Sequence, residues 1–195
     1  MQALPEADPV QKITIVARGM AGGYTIALPK EDRTLISRRK LMADMVGLLG
    51  GRVAEEIVFD DITSGAANDI ERVTQLARSM ITRMGMSSEL GPMVFGQKEE
   101  LIFLGREISE QRDYSEAVAQ QIDQEVRRVV DEAYQKAREL LSKYRDILET
   151  VAKRLLEVET ISSEDFNILF PPPYPKKSGT PQISHGKEVV KQATV

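Results

Sequence analysis

The hydrophobic positions that follow residue 37 recur at helical spacing and predict a mainly helical fold. The first predicted helix carries its apolar face on Leu41, Met45, Leu48, Leu49, Val53 and Ile57. Ser37 precedes this face and is predicted to cap the helix, because a serine hydroxyl can accept a hydrogen bond from the first turn. A second apolar face runs along Ile70, Val73, Leu76, Ala77, Met80, Ile81 and Met84. Gly85 follows it and is predicted to end that helix.

The most regular pattern lies in residues 118–155, where apolar side chains recur in steps of four, four and three. This 11-residue repeat is close to that of a straight α-helix. It fits one long helix, or two helices with a break near residues 142–145. Ser115 or Asp113 could cap its start.

A final short helix is predicted after Ser162 or Ser163, and it should end near Phe170, where three prolines follow. The residues beyond it are rich in Pro, Lys, Ser and Gly. We therefore expect residues 1–170 to form one domain and residues 171–195 to form a disordered tail.

The start of the chain has a different pattern, typical of strands. Residues 12–18 are rich in β-branched side chains, and residues 24–28 alternate in character before Pro29. The glycine-rich residues 19–23 link them, so the two strands are predicted to form a β-hairpin. Two strands alone are marginally stable, and this hairpin must therefore pack on helices.

Composition excludes several classes of function. The chain has 195 residues, a net charge of −4 and no cysteine, so it has no disulfide framework and no thiolate ligand or nucleophile. Its acidic body and low aromatic content argue against nucleic-acid binding. The single histidine, His185, lies in the predicted tail, which leaves no histidine for a nucleophilic triad in the core. The sequence also lacks a P-loop, so it carries no ATP-binding motif of its own.

One candidate constellation combines glycines and carboxylates. Gly50 and Gly51 lie inside the first predicted helix, where each costs about 1 kcal/mol relative to alanine. Close packing of another element on the backbone would explain them. Glu55 and Glu56 follow on the same helix and could orient ligands or share a proton. A solvated helix face is the alternative for these two carboxylates.

The second candidate constellation is Thr63-Ser64-Gly65-Ala66 followed by Asn68 and Asp69. Small residues here lead into a helix whose first turn carries the amide and the carboxylate. From spacing alone, either side chain could simply cap the helix and complement its dipole.

Taken together and in order, these segments resemble the peptidase domain of the FtsH family of ATP-dependent (AAA+) zinc metalloproteases. The matching segments span residues 8 to about 170 and include Asp8-Pro9-Val10, Lys12-Ile13-Thr14-Ile15, Gly23-Tyr24-Thr25, Leu48-Leu49-Gly50-Gly51-Arg52, Ala54-Glu55-Glu56, Thr63-Ser64-Gly65-Ala66, Asn68-Asp69-Ile70, Met84-Gly85-Met86-Ser87, Leu90-Gly91-Pro92, Phe103-Leu104-Gly105-Arg106 and Tyr114-Ser115. The resemblance implies a mainly α fold, a helical metallopeptidase domain with a small β-hairpin or sheet near the N-terminus and long C-terminal helices.

The resemblance also implies roles for particular residues. Asp69 occupies the position of the third zinc ligand, which in the family joins two histidines of an H-E-x-x-H helix. Glu55 and Glu56 match a carboxylate pair near that site, where one of them would support the ligands. The substrate-binding strand would be formed by Gly23, Tyr24, Thr25 and Ile26, to which extended substrate adds as a further strand.

The sequence departs from the family in one respect, because it contains no H-E-x-x-H. In the family that motif lies just upstream of Asp8-Pro9-Val10. The resemblance therefore implies a protease fragment, truncated past the motif, with no catalytic residue of its own, an incomplete zinc site and no activity alone.

The parent protein implied by the resemblance would degrade membrane and cytosolic proteins processively. It would be a homo-hexamer at the cytoplasmic side of the plasma (inner) membrane. ATP and the membrane would be reached only through upstream segments, and the fragment itself is expected to be soluble. The alternative is a non-catalytic helical oligomerisation module or an inactive partner subunit of a protease ring.

Overall fold

The computed structural model describes residues 1–17, 22–28, 35–96 and 114–170. The predicted tail (residues 171–195), with His185, and the alternative cap Asp113 lie outside these ranges. What was predicted for them therefore remains a prediction. In the described ranges the elements are β1 (Val10–Thr14), β2 (Tyr24–Ala27), α1 (Arg38–Phe59), a 3₁₀ turn (Ser64–Ala66), α2 (Ala67–Thr82), α3 (Glu116–Lys143), α4 (Arg145–Val158), β3 (Thr160–Ser162) and α5 (Ser163–Leu169). The prediction of a mainly α protein with a small N-terminal sheet is confirmed.

Helices α1, α2 and α3 surround the main hydrophobic core. The side chains at its centre are fully enclosed and come from all three helices: Met45, Val53, Val73, Met80, Ile81, Ile122 and Val129. Burying a side chain of this size stabilises a fold by about 1.5–3 kcal/mol. The apolar faces predicted for α1 and α2 therefore hold these helices against α3. Ile70 and Met84, which were predicted on the face of α2, are instead exposed.

Three of the predicted helix caps are confirmed. The hydroxyl of Ser37 accepts from the backbone N–H of Lys40 at the start of α1. Ser115 caps α3 in the same way, and Ser162 caps α5. The regular pattern of residues 118–155 forms two helices, because the chain breaks at Tyr144 between α3 and α4.

The end of α2 lies close to Gly85. The helix ends at Thr82, and Gly85 lies three residues further on with a positive φ of 59°. A Cβ on Gly85 would lie 3.1 Å from the Cα of Pro92. The left-handed glycine also lets the N–H of Met86 donate to the carbonyl of Met80 in the last turn of α2, at 3.0 Å. Gly85 therefore closes the end of the helix, as predicted, and serves the tight return of the chain towards residues 91–93.

The β-structure is a three-stranded antiparallel sheet in the order β2-β1-β3. The predicted hairpin of β1 and β2 is confirmed, with a register shift between Val10 and Lys12. The third strand is an addition, since β3 was not predicted. β1 also begins at Val10 and ends at Thr14, earlier than the predicted residues 12–18.

The early end of β1 has a local cause at Thr14. Its hydroxyl donates to the carbonyl of Glu159 at 3.1 Å and accepts from the backbone N–H of Val16 at 3.2 Å. Glu159 is in the left-handed conformation, so β3 can begin only after it. The pairing of β1 with β3 therefore ends at Thr14 and Thr160.

The sheet has its own small core on α5. Val10, Ile161 and Phe166 are buried together, with Val151 and Leu155 of α4 packed against them. Within the ranges that the structure describes, no helix is long and apolar enough to cross a membrane.

Candidate functional site

Asp69 lies in the first turn of α2, with its side chain 45% exposed. Its carboxylate is 3.7 Å from the guanidinium of Arg72, one turn along the same helix. A pair this open to solvent contributes little to stability. The carboxylate of Asp69 is therefore accessible and held only loosely by its own helix.

The alternative that Asn68 or Asp69 caps α2 is wrong. The residue at the cap position is Ala66, which offers no side-chain bond, and the helix begins at Ala67. Asn68 and Asp69 are thus already helical. The negative charge of Asp69 complements the positive end of the helix dipole without capping it.

The 3₁₀ turn before α2 is held by Glu55, near the end of α1. The backbone N–H of Thr63 donates to Glu55 Oε2 at 3.0 Å, and the Thr63 hydroxyl donates to Glu55 Oε1 at 2.9 Å. The same hydroxyl accepts from the N–H of Gly65 at 3.1 Å. Both oxygens of Glu55 are therefore occupied by the segment that leads to Asp69.

Glu56 serves a different part of the molecule. Its carboxylate accepts a short hydrogen bond from the hydroxyl of Tyr134 and lies 3.4 Å from the guanidinium of Arg138. The bond to Glu56, together with burial, raises the pKa of Tyr134. Glu56 therefore joins α1 to α3. The two glutamates therefore have separate partners.

The predicted substrate strand lies at an edge of the sheet. Tyr24, Thr25 and Ile26 belong to β2, and Gly23 immediately precedes it. Within the described residues, β2 pairs with β1 on one side and has no strand on the other. An edge strand presents backbone N–H and C=O groups that can pair with another chain. A Cβ on Gly23 would come within 2.6 Å of the carbonyl oxygen of Thr14, so only glycine lets the hairpin close here.

Gly50 and Gly51 do not meet the close contact that was predicted for them. A Cβ built at either position would have no atom of the described ranges within 4 Å. Gly47, one turn earlier, is different, because its Cβ would lie 3.1 Å from the Met1 side chain. Among the three glycines of α1, only Gly47 therefore has a close neighbour in the described ranges, and that neighbour is a flexible side chain.

The described residues do not form a metal site by themselves. No group of three or more His, Cys, Asp or Glu side chains is arranged to hold a metal ion in these ranges. Glu55 and Glu56 are bound to Thr63 and to Tyr134 and Arg138, which leaves Asp69 as the accessible carboxylate at the start of α2. A catalytic zinc takes three protein ligands, so this part of the chain can offer one carboxylate but not the full set.

An ionic cluster around the buried carboxylate of Glu125 holds the loop after α2, and it was not predicted from the sequence. Glu125 of α3 accepts from the Ser87 hydroxyl at 2.7 Å and from Arg128 Nε at 2.7 Å. The bond to Arg128 outweighs burial and, with the bond to Ser87, lowers the pKa of Glu125. Ser87 in turn accepts from the N–H groups of Glu89 and Leu90. The cluster therefore fixes the loop on α3.

Comparison with known proteins identifies the family. A family model described as "Peptidase family M41" matches residues 1–169. The "ATP-dependent zinc metalloprotease FtsH 1" of Sphaerobacter thermophilus is 55% identical over 173 residues, which cover 89% of this chain and 26% of that protein. The "ATP-dependent zinc metalloprotease FtsH" of Thermotoga maritima is 50% identical over 163 residues, or 83% of this chain and 27% of that protein. The chain thus spans about a quarter of the length of these curated relatives. It belongs to peptidase family M41.

Proposed function

We propose that this chain is part of the proteolytic domain of an ATP-dependent zinc metalloendopeptidase. The observation that carries the proposal is the family match over residues 1–169, within which Asp69 stands accessible on the first turn of α2. Asp69 would supply one carboxylate ligand of a zinc site. Two histidines of an H-E-x-x-H segment, absent from this sequence, would supply the others.

The contribution of the sheet would be to hold substrate. An extended polypeptide would pair with the edge of β2 that faces away from β1, so that backbone hydrogen bonds give affinity independently of sequence. Such pairing suits an enzyme that degrades many proteins. Protein substrates, a homo-hexameric ring, an ATPase module and a membrane anchor on the cytoplasmic side belong to this proposal for the whole protein.

Zinc content and proteolysis in the longer protein test the proposal. Asp69→Asn keeps the size of the side chain but removes its charge, so zinc content and casein cleavage should both fall. Glu71→Gln is the matched control, because Glu71 is exposed on the same helix and its carboxylate accepts a hydrogen bond from the side chain of Gln75. It should leave both quantities unchanged.

Three results would contradict the proposal. If Asp69→Asn retained full zinc content and cleavage, Asp69 would not be a zinc ligand. If the unmodified longer protein bound no zinc and cleaved no casein, the non-catalytic alternative, an oligomerisation module or inactive ring subunit, would stand instead. The present chain alone should bind zinc poorly and cleave no casein. Stoichiometric zinc in this chain, with cleavage lost on Asp69→Ala, would show that its site is complete.

A further inference from the structure

The turn that presents Asp69 lacks the usual support for the start of a helix. Most helices satisfy their first N–H groups with a capping side chain, but Ala66 at the cap of α2 has no such group. The 3₁₀ turn in front of it is capped by Thr63 through Gly65. The direction in which α2 begins therefore depends on where Thr63 is held.

Thr63 is itself exposed and is held from α1. Both its backbone N–H and its hydroxyl donate to the same carboxylate, that of Glu55, at 3.0 and 2.9 Å. A carboxylate that accepts two bonds from one residue fixes both its position and its orientation. The Thr63 hydroxyl also accepts from the N–H of Gly65 at 3.1 Å. The hydroxyl therefore donates one hydrogen bond and accepts another.

The packing around Gly65 limits what else could stand there. A Cβ at Gly65 would lie 3.2 Å from the Thr63 hydroxyl oxygen and 3.6 Å from Glu55 Oε1. Ala66 follows and is buried, and the turn contacts both α1 and α2. The turn is thus held by Glu55 at Thr63 and by the burial of Ala66.

We propose that Glu55 is a positioning residue, which acts through Thr63 to fix the turn that presents the Asp69 carboxylate. The inference rests on the proposed role of Asp69 as a zinc ligand. It also separates the two adjacent glutamates. Glu56 joins α1 to α3 through Tyr134 and has no part in placing the ligand.

Amide hydrogen exchange on this chain tests the local part of the proposal. Thr63→Val removes the hydroxyl, and with it one bond to Glu55 and the bond from Gly65, while nearly keeping the shape of the side chain. The amides of residues 63–69 should exchange about tenfold faster, which corresponds to roughly 1.4 kcal/mol, the range of one to two hydrogen bonds. Thr63→Ser keeps the hydroxyl and should restore the slow exchange.

Zinc affinity in the longer protein, measured by competition with a chromophoric chelator below the melting temperature, tests the functional part. Glu55→Gln and Thr63→Val should each weaken zinc binding about 10–100-fold, the usual cost of losing a partner behind a ligand. Thr63→Ser should retain most of the affinity. Glu56→Gln should lower the melting temperature but leave zinc affinity unchanged.

The outcomes distinguish this inference from the function on which it rests. Loss of affinity in Asp69→Asn with none in Glu55→Gln or Thr63→Val would refute the positioning role and keep the proposed function. Equal losses in Glu55→Gln and Glu56→Gln would also refute it, because a general effect on the fold would then be sufficient. No loss in Asp69→Asn would overturn both.

Discussion

Replacing Glu125 with Gln should destabilise the domain through a buried group far from Asp69 in sequence. Glu125 is 5% exposed and accepts from Ser87 and from two nitrogens of Arg128, at 2.7, 2.7 and 3.1 Å. Glutamine cannot accept all three bonds, since its amide nitrogen is a donor and would face Arg128. The substitution therefore leaves part of the cluster unpaired.

The size of the effect follows from these contacts. Hydrogen bonds to a charged group contribute about 1.5–3 kcal/mol each, and breaking a buried ion pair costs about 3–5 kcal/mol. The Arg128 side chain is 44% exposed and can turn to water, which reduces the cost. We expect a loss of about 2–3 kcal/mol in the free energy of unfolding, or roughly 5–10 °C in melting temperature for a chain of this size.

Asp123→Asn is a matched control on the same helix. Asp123 also pairs with an arginine, Arg78, at 3.1 Å, but both side chains are more than half exposed. Exposed pairs contribute only about 0–1 kcal/mol. Urea unfolding followed by circular dichroism should therefore separate the two variants. Equal losses in both would refute the argument that burial gives the Glu125 cluster its strength.

The pH dependence supplies an independent check on Glu125. Its folded-state pKa is lowered, mainly by Arg128, so it lies below the unfolded value of about 4.3. The resulting stabilisation is fully present above the unfolded pKa and is lost as pH falls through the folded pKa. Between pH 7 and about pH 3 the unmodified chain should lose more stability than Glu125→Gln. The difference in free energy of unfolding between the two proteins should therefore narrow as the pH falls. If this difference stayed constant with pH, the lowered pKa of Glu125 would be contradicted.

Three further substitutions test other parts of the structure. Gly23→Ala should distort the hairpin, because its Cβ would lie 2.6 Å from the Thr14 carbonyl oxygen, and it should weaken binding of an extended peptide. Gly22→Ala is its control, because a Cβ there would meet no described atom within 4 Å. Met80→Ala, at a side chain that is fully buried, should cost about 2–5 kcal/mol of unfolding free energy in urea. Tyr134→Phe removes the hydrogen bond that joins α3 to α1 and should cost about 1 kcal/mol in the same assay.

The helices could be predicted from the sequence because their signals are local. The apolar spacing placed α1, α2 and α3, and serine caps at Ser37, Ser115 and Ser162 mark three helix starts. The strand β3 was missed because three residues are too few to show alternation. It forms only because β1 provides a partner, and that partner lies far away in the sequence.

The candidate site could also be predicted only in part. Asp69 was found through family resemblance, since its own neighbourhood suggested a helix cap that the structure does not contain. The partners of Glu55 and Glu56 could not be predicted, because adjacent helix positions point about 100° apart and each side chain meets whatever packs on that side. Thr63 and Tyr134 lie 8 and 78 residues from these glutamates.

The central position of β1 in the sheet has a consequence for synthesis of the chain. Thr14 contacts Thr160 across 146 residues, and the buried Ile161 and Phe166 follow that point. At about 5–20 residues per second, the ribosome adds them roughly 7–30 s after β1 and β2 have been made. During that interval the edge of β1 that later pairs with β3 is exposed. A nascent chain would therefore depend on chaperones, or on its own helices, to keep β1 from pairing with another molecule.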